Sequence, residues 1–297
     1  VGLGNFAESF LLPPLIKQKN TQLITVSNQN SARLKKLMKK YNFQNCTTDS
    51  RSVFKNDSVN TIFIASRHNT HAKFLISAIE NKKHVFIEKP IAINKEELKN
   101  ILSSLKNLKT TIVMVGYNRR FSKASIELKN KLAAHIRPVS ILHRINAGKV
   151  PISHWTQDPD EGGGRIIGEV CHFIDYSLFL TGSKVINVYA SIIDSNQNDI
   201  PSHDSIHINI QFVNGSNATI QYLSDGSRAV SKEWIEVIGD GKIYQIDNYK
   251  NCIYYNKNKK SKLYSGKIDK GYNKEISEFI NSIISNGKSP IDLNTII

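Results

Sequence analysis

The chain is short of cysteine, tryptophan, methionine and acidic residues. Its three cysteines, Cys46, Cys171 and Cys252, lie far apart and form no CxxC or Cys/His pattern. That spacing excludes a disulfide framework and a structural zinc site, and no metal is expected. An odd, sparse count reads as reduced thiols, so the cytoplasm is the expected compartment. No run approaches the roughly 18 apolar residues of a membrane span. No secretory leader is visible. The chain opens at Val1 and not at methionine, and it stops at Ile297 in an apolar pattern. Both ends are expected to be cuts, with residues lost upstream.

Acidic residues number 25 against 40 lysines and arginines, a net charge of +15. Such an excess invites a nucleic-acid reading. The lysines are scattered, however, and come mixed with asparagine and isoleucine. Only residues 257–262 form a compact basic run, which reads as a hairpin loop. A solvated surface explains the charge, and no nucleic-acid partner is expected.

What is present organises around His84-Val85-Phe86-Ile87-Glu88-Lys89-Pro90. Three apolar residues make a short buried strand that runs straight into a proline. Proline removes an amide donor and holds the preceding residue extended, so the strand stops there. Lys89 is thereby placed at the carboxyl end of a strand, the edge where open α/β sheets bind ligands. Upstream, Val1-Gly2-Leu3-Gly4-Asn5-Phe6-Ala7 fits G-x-G-x-x-A. In that fingerprint small residues let backbone amides approach a pyrophosphate. A central strand should precede it, which the upstream residues must supply.

Pro13 and Pro14 end or kink the first helix. Residues 23–26 read as a strand leading to Ser27 and Asn28, where an NAD fingerprint wants an acid for the ribose hydroxyls. None is present. Ser27 or Asn28 can hydrogen-bond the ribose, and Arg33 can tolerate a 2′-phosphate, so NAD and NADP both stay open. A basic helix over 31–40, a strand over 59–65 and a loop carrying Ser66, Arg67, His68 and His71 follow, with Asn69 or Thr70 as cap for a helix over 72–81. A helix over 94–108 and a strand over 111–116 complete an alternation typical of parallel βαβ units. That strand ends in Tyr117-Asn118-Arg119-Arg120-Phe121.

Beyond residue 121 the pattern changes. A strand over 140–147, a turn-rich stretch ending in three glycines, and an apolar helix over 165–180 closed by Gly182 come first. β-Like runs follow over 185–193, 205–212, 218–223, 233–238, 242–247 and 252–255, with Asn214-Gly215 and Asp240-Gly241 as hairpin signals. A closing helix spans 272–285. The expected fold is α/β: a dinucleotide-binding Rossmann domain over 1–121, its first strand cut short, and an α+β domain with a mostly antiparallel open-faced sheet over 122–297.

Four pieces, Gly2-Leu3-Gly4-Asn5, Glu88-Lys89-Pro90, Tyr117-Asn118-Arg119-Arg120-Phe121 and GGGRIIGEVCHFID over 162–175, together resemble the glucose–fructose oxidoreductase/inositol 2-dehydrogenase (Gfo/Idh/MocA) family. The resemblance covers essentially the whole chain. The wording RHNTHA, HWTQDP-x-x-GGGRIIGE-x-CHFID and KEWIEV is similar to a subgroup often fused behind a zinc-type alcohol dehydrogenase-like domain in surface-polysaccharide gene sets. The family implies NAD or NADP as cofactor, a sugar, cyclitol or nucleotide sugar as substrate, and a homo-oligomer. It places Lys89 beside the nicotinamide and the reacting hydroxyl, and makes His172 the proton donor or acceptor. The family often carries an aspartate four residues before that histidine; here Gly168 stands there. Glu169, three residues from His172 on roughly the same helical face, is the candidate substitute.

The chemistry supports this cast independently. Hydride transfer from a carbinol needs its hydroxyl proton removed and the developing oxyanion stabilised, tasks that suit an imidazole and a fixed ammonium. Expected cofactor contacts are Gly2, Gly4, Asn5, Phe6, Ser27, Asn28, Ser66, Arg67, His71, Glu88 and Lys89. Expected substrate contacts are Asn118, Arg120, Trp155 and Arg165. Trp155 reads equally as a sugar-stacking wall or a core residue, and Arg165 as an anion binder or the partner of Glu169. Arg119 reads as solvated, and Asp175 as a helix hydrogen-bond partner. Two rival functions keep the fold: an epimerase- or glycosidase-like cycle with transient oxidation, and a non-catalytic cofactor-binding module.

Overall fold

The computed structural model describes residues 1–106, 110–134, 138–193 and 204–293. Its contacts divide the chain into two units, Val1–Gly116 with Tyr272–Ile297, and Tyr117–Gly271.

The first unit begins with the glycine turn and a π-type turn, Ala7–Leu11. It leads into α1 (Leu12–Ile16), whose first turn holds the prolines, where a missing amide donor costs no bond. Pro13 and Pro14 do not end the helical stretch, which runs on to Ile16, and just before them the Leu12 amide reaches back to the Ala7 carbonyl, an i→i−5 bond. β1 (Thr25–Ser27) follows, then α2 (Ser31–Tyr41), capped by the Asn30 side chain and closed by Asn42 in the left-handed region. β2 (Asn45–Thr47) pairs parallel with β1, and α3 (Ser50–Phe54) is capped by Asp49. The sequence reading contains neither β2 nor α3, because elements this short carry no measurable periodicity.

β3 (Thr61–Ile64) precedes α4 (His71–Glu80). Thr70 stands at the cap position but makes no side-chain cap bond; its hydroxyl meets that of Ser66 at 2.6 Å and donates to the Arg67 carbonyl. β4 (His84–Ile87), α5 (Lys95–Leu105) and β5 (Val113–Val115) complete the alternation. The Asn94 side chain accepts from the Glu97 amide while the Glu97 carboxylate accepts from Ile93, a reciprocal cap worth about 1 kcal/mol. β3, β4 and β5 form a parallel three-stranded sheet. Phe86, Ile87, Met114 and Val115 are buried completely, as strands covered on both faces must be.

The second unit opens with a single turn over Asn118–Phe121, then α6 (Lys123–Leu132) and β6 (Ser140–Asn146). A π-type turn, Ile166–Val170, runs into α7 (Cys171–Thr181), which ends at Gly182 with φ +60°. β7 (Val185–Ile192), β8 (Ile206–Phe212), β9 (Asn217–Leu223), β10 (Glu233–Gly239), β11 (Lys242–Asp247), β12 (Asn251–Asn256) and β13 (Lys259–Ser265) then build the sheet. Its order is β13-β12-β11-β10-β6-β9-β8-β7, antiparallel throughout except for β6 beside β9. Alternate residues such as Ile206, Ile208, Ile210 and Phe212 face the core that α6 and α7 cover. The basic run expected as a loop over 257–262 is mostly strand: Lys259, Lys260 and Lys262 lie on edge strand β13, where lysine discourages pairing with another chain.

The chain returns to the first unit as α8 (Tyr272–Ile284). The expected domain over 122–297 had included it. Its amphipathic face carries Phe279, which packs edge-on against Phe63 and Phe86, both at 5.7 Å. That aromatic cluster ties α8 to the parallel sheet.

Candidate active site

In the first unit the glycine turn is held from both sides. The Gly2 amide donates to the Ser27 carbonyl at 2.9 Å, and the Ala65 amide donates to the Val1 carbonyl at 3.0 Å. Gly2 has φ +77°, and a Cβ there would stand 2.4 Å from Ser66 Cα, so only glycine permits this approach. Gly4 differs. A Cβ on it would meet only the Gly2 carbonyl, at 3.9 Å, which leaves its backbone open to a ligand. The turn therefore fits a dinucleotide pyrophosphate. Phe6 points elsewhere: it is exposed and packs against Phe10 and Tyr272.

The expected ribose contacts have other work. Ser27 is fully buried, and its hydroxyl meets that of Ser50 at 2.9 Å. Asn28 braces the glycine turn by donating to the Leu3 carbonyl at 2.9 Å. Arg33 donates to Asn5 Oδ1 at 2.8 Å and to Glu8 at 2.9 Å, and Lys40 joins Glu8 at 2.8 Å. The Lys40 hydrogen bond, together with Tyr41 and the charge of Arg33, lowers the Glu8 carboxyl.

Lys89 is half-buried at the end of β4 and precedes Pro90 through a cis peptide bond. The backbone around it is pinned by His71, whose Nδ1 lies 2.7 Å from the Pro90 carbonyl and whose Nε2 lies 3.1 Å from that of Ser66. Burial lowers the His71 pKa to about 4, against the pull of those two carbonyls. The ring is thus neutral at pH 7 and donates from one nitrogen only. Ser66 in turn packs on Gly2, so the glycine turn, the Ser66 loop and the Lys89 turn form one connected frame. Glu88 is buried over Gly116, where a Cβ would come within 2.9 Å of its carboxylate. Arg67 lies exposed on the same loop.

In the second unit α7 carries His172 in its first turn, buried, with the Tyr117 ring edge-on at 5.9 Å. One helical turn on, Asp175 is clasped by Arg120 Nε at 2.8 and 2.9 Å. Burial pushes the Asp175 carboxyl up to about 6 while Arg120 opposes it, so the pair is charged at neutral pH. Arg120 thus gives its fork to Asp175, which makes it a brace for α7. Asn118 is also committed, donating to the Lys270 carbonyl at 2.7 Å.

Arg119, expected to be solvated, is buried. It forks onto Glu233 at 2.7 and 2.8 Å, with Lys270 at 2.9 Å on the same carboxylate. Burial alone would raise Glu233; Arg119 and Lys270 overcome it and hold the carboxyl well below the usual range. Arg165 is buried as well, donating to the Gly148 carbonyl at 2.7 Å and to Glu169 at 3.3 Å. The second Glu169 oxygen lies 3.9 Å from Lys232. Trp155 is half-buried, its backbone packed under Gly162.

The structure therefore gathers Tyr117, Arg120, His172 and Asp175 into one cluster, and Arg165 with Glu169 into another that also includes Asp204 and Gln157. Tyr117, Asp204 and Gln157 are absent from the sequence-derived site, although Tyr117 opens the YNRRF stretch and Gln157 lies within HWTQDP; no local pattern marks Asp204. Among the described residues no group of three histidine, cysteine or acidic side chains is placed to hold a metal, and no helix is long and apolar enough to cross a membrane.

Comparison with known proteins places this frame. Residues 1–117 match the model of an oxidoreductase family with an NAD-binding Rossmann fold, and residues 135–244 match the C-terminal domain model of the same family. The uncharacterized oxidoreductase YrbE of Bacillus subtilis is 24% identical over 290 residues, covering 89% of this chain and 80% of its own. Myo-inositol 2-dehydrogenase of Thermotoga maritima is 24% identical over 228 residues, covering 75% and 67%. A solved levoglucosan dehydrogenase in complex with NADH and levoglucosan superposes with a TM-score of 0.83 at 18% identity, covering 99% of this chain and 91% of its own. With both halves matched in order, and the glycine turn and the Lys89 strand end in place, the chain belongs to the Gfo/Idh/MocA family of oxidoreductases.

Proposed function

We propose that the protein transfers a hydride between a nicotinamide cofactor and a hydroxyl-bearing carbon of a sugar, with a nucleotide sugar of surface-polysaccharide assembly as its substrate. The observation that carries the reading is the placement of Lys89. It stands half-buried at the carboxyl end of a parallel strand, on a turn that His71 ties to the loop packed against the glycine turn.

NAD or NADP would supply the hydride acceptor, and the open backbone at Gly4 would hold its pyrophosphate. The chain's own residues do the rest. Lys89 presents a fixed ammonium to the substrate oxygen as its charge develops. His172 takes the hydroxyl proton, and the Arg120–Asp175 pair holds the helix that carries it. With no acid at the end of β1 and Arg33 already engaged by Glu8 and Asn5, neither ribose form is rejected by charge, so both NAD and NADP are accepted. The exposed apolar side chains of edge strand β7, among them Ile186, Val188 and Tyr189, support self-association into a homo-oligomer. The resemblance of the chain to the fused subgroup supports an upstream dehydrogenase-like domain.

Titrating the protein with NADH and NADPH by fluorescence, then adding oxidised cofactor with a panel of sugars and nucleotide sugars, tests the reading. Saturable binding, with sugar-dependent reduction lost in Lys89→Ala and His172→Ala, is expected. Binding retained with no turnover on any sugar would move the assignment to a closed redox cycle or a binding module. No binding of either cofactor would overturn it.

A further inference from the structure

The end of β1 is where this fold meets the adenosine ribose, and a side chain there chooses between a 2′-hydroxyl and a 2′-phosphate. Here the side chains at that position are already spent. The Ser27 hydroxyl is buried against that of Ser50, and Asn28 donates to the Leu3 carbonyl while its Oδ1 accepts from the Asn30 amide. The choice passes to the next charged group along the chain. That group is Arg33, in the first turn of α2, whose amide donates to the Asn30 cap.

Arg33 is held on two sides. Its Nη1 donates to Asn5 Oδ1 at 2.8 Å and its Nη2 to Glu8 Oε2 at 2.9 Å, while Nε is buried with no hydrogen-bond partner among the described residues. Glu8 lies on the π-type turn that follows the glycine turn, and its two oxygens divide the work. Oε2 holds Arg33, whereas Oε1 accepts from Lys40 Nζ at 2.8 Å and from the Tyr41 hydroxyl at 3.1 Å. Release of Arg33 therefore leaves the carboxylate still paired. The contact is also easily opened: the two side chains are 30% and 25% exposed, so water screens their attraction.

We propose that Glu8 sets the balance between NAD and NADP by competing with the cofactor's 2′-phosphate for Arg33. This rests on the redox reading and goes beyond it: that reading admits both cofactors, and Glu8 ranks them. A guanidinium grips a phosphate through a fork of two N–H groups. With Nη2 on Glu8 and Nη1 on Asn5, no fork of Arg33 is complete. To bind a 2′-phosphate Arg33 must leave Oε2, and the mostly dianionic phosphate then meets the Glu8 charge as well. A 2′-hydroxyl makes neither demand. Glu8, Arg33 and Lys40 hold two cations against one carboxylate, so removing the carboxylate charge leaves both cations to the phosphate.

Fluorescence titration of the whole chain with NADH and with NADPH tests this through binding alone. Four proteins are compared: the parent, Glu8→Gln, Arg33→Gln and the double variant. Glu8→Gln keeps the shape of the side chain but not its charge. It should tighten NADPH about tenfold at low salt and leave NADH within about twofold. The gain should shrink as salt rises. Arg33→Gln should weaken NADPH, and in the double variant most of the gain from Glu8→Gln should vanish. An equal gain for both cofactors would place Arg33 on the pyrophosphate they share and overturn the proposal. So would a full gain that survives Arg33→Gln, or an unmoved ratio of NADPH to NADH affinity. Loss of NADH binding in Glu8→Gln would overturn it too, making Glu8 a support of the glycine turn. A parent that binds neither cofactor would strike the redox reading, and this inference with it.

Discussion

Replacing Arg119 by methionine tests the internal architecture of the second unit most sharply. Glu233 is completely buried, and Arg119 supplies two of its short hydrogen bonds, leaving Lys270 as the remaining close cation. The His143 ring lies 3.9 Å away, but burial lowers its pKa to about 3, so it brings no charge at neutral pH. Breaking a buried pair by removing one partner costs about 3–5 kcal/mol, because the other charge stays desolvated. Lys270 places Arg119→Met at the lower end, about 3 kcal/mol. For a unit of this size that lowers the melting temperature by roughly 6–12 °C.

The assay is specific by construction. The chain has two tryptophans, Trp155 and Trp234, and both lie in the second unit, so their fluorescence during urea unfolding reports that unit alone. Adding Glu233→Gln to Arg119→Met should recover most of the loss, since the uncompensated charge is gone. The pH dependence carries a sign as well. In the parent, the lowered Glu233 pKa contributes stability that is present above about 4.5 and lost as pH falls through its folded value. In Arg119→Met the buried carboxylate is raised instead, so the gap between variant and parent narrows from pH 7 toward pH 4. A single variant as stable as the parent, or a double variant as unstable as the single, would refute the reasoning.

Gly2→Ala forces a left-handed φ on a side chain and drives its Cβ to 2.4 Å from Ser66 Cα; the expected result is loss of NADH binding in the fluorescence titration, with at least about 1–3 kcal/mol of destabilisation in thermal melts. His71 should make the first unit acid-sensitive. Its folded pKa of about 4 lies below the unfolded 6.5, so stability is complete above 6.5 and falls by about 3 kcal/mol as pH drops toward 4. His71→Gln should flatten that part of the pH–stability curve. The proposed self-association through β7 predicts that Ile186→Lys combined with Val188→Asp, both exposed in the single chain, lowers the mass read by light scattering relative to the parent; an unchanged mass would refute it.

How much of this is legible in the sequence depends on the range of the physics involved. The Lys89 strand end, the glycine turn, the helix that opens at Asn94 and the alternation of strand and helix are local: apolar runs, a proline and a few glycines determine them wherever the chain folds. His172 on an apolar helix is legible for the same reason, and family resemblance gives it a role. Elements of three to five residues, β2 and α3, are not legible, because their formation depends on what they pack against. The lysines of β13 read as a loop because charge patterning cannot tell a solvated turn from a guarded sheet edge.

Only the tertiary structure decides the long-range pairings. Arg119 meets Glu233 across 114 positions, and Arg120 meets Asp175 across 55. It converts arginines that look exposed or ligand-facing into buried braces. It also joins α8 to the first unit, and it places the buried His71 ring between the Ser66 and Pro90 carbonyls, one of which accepts its single N–H. The residue types are written in the chain, but a buried charge is stable only beside its partner, and which partner that is depends on the topology that brings them together.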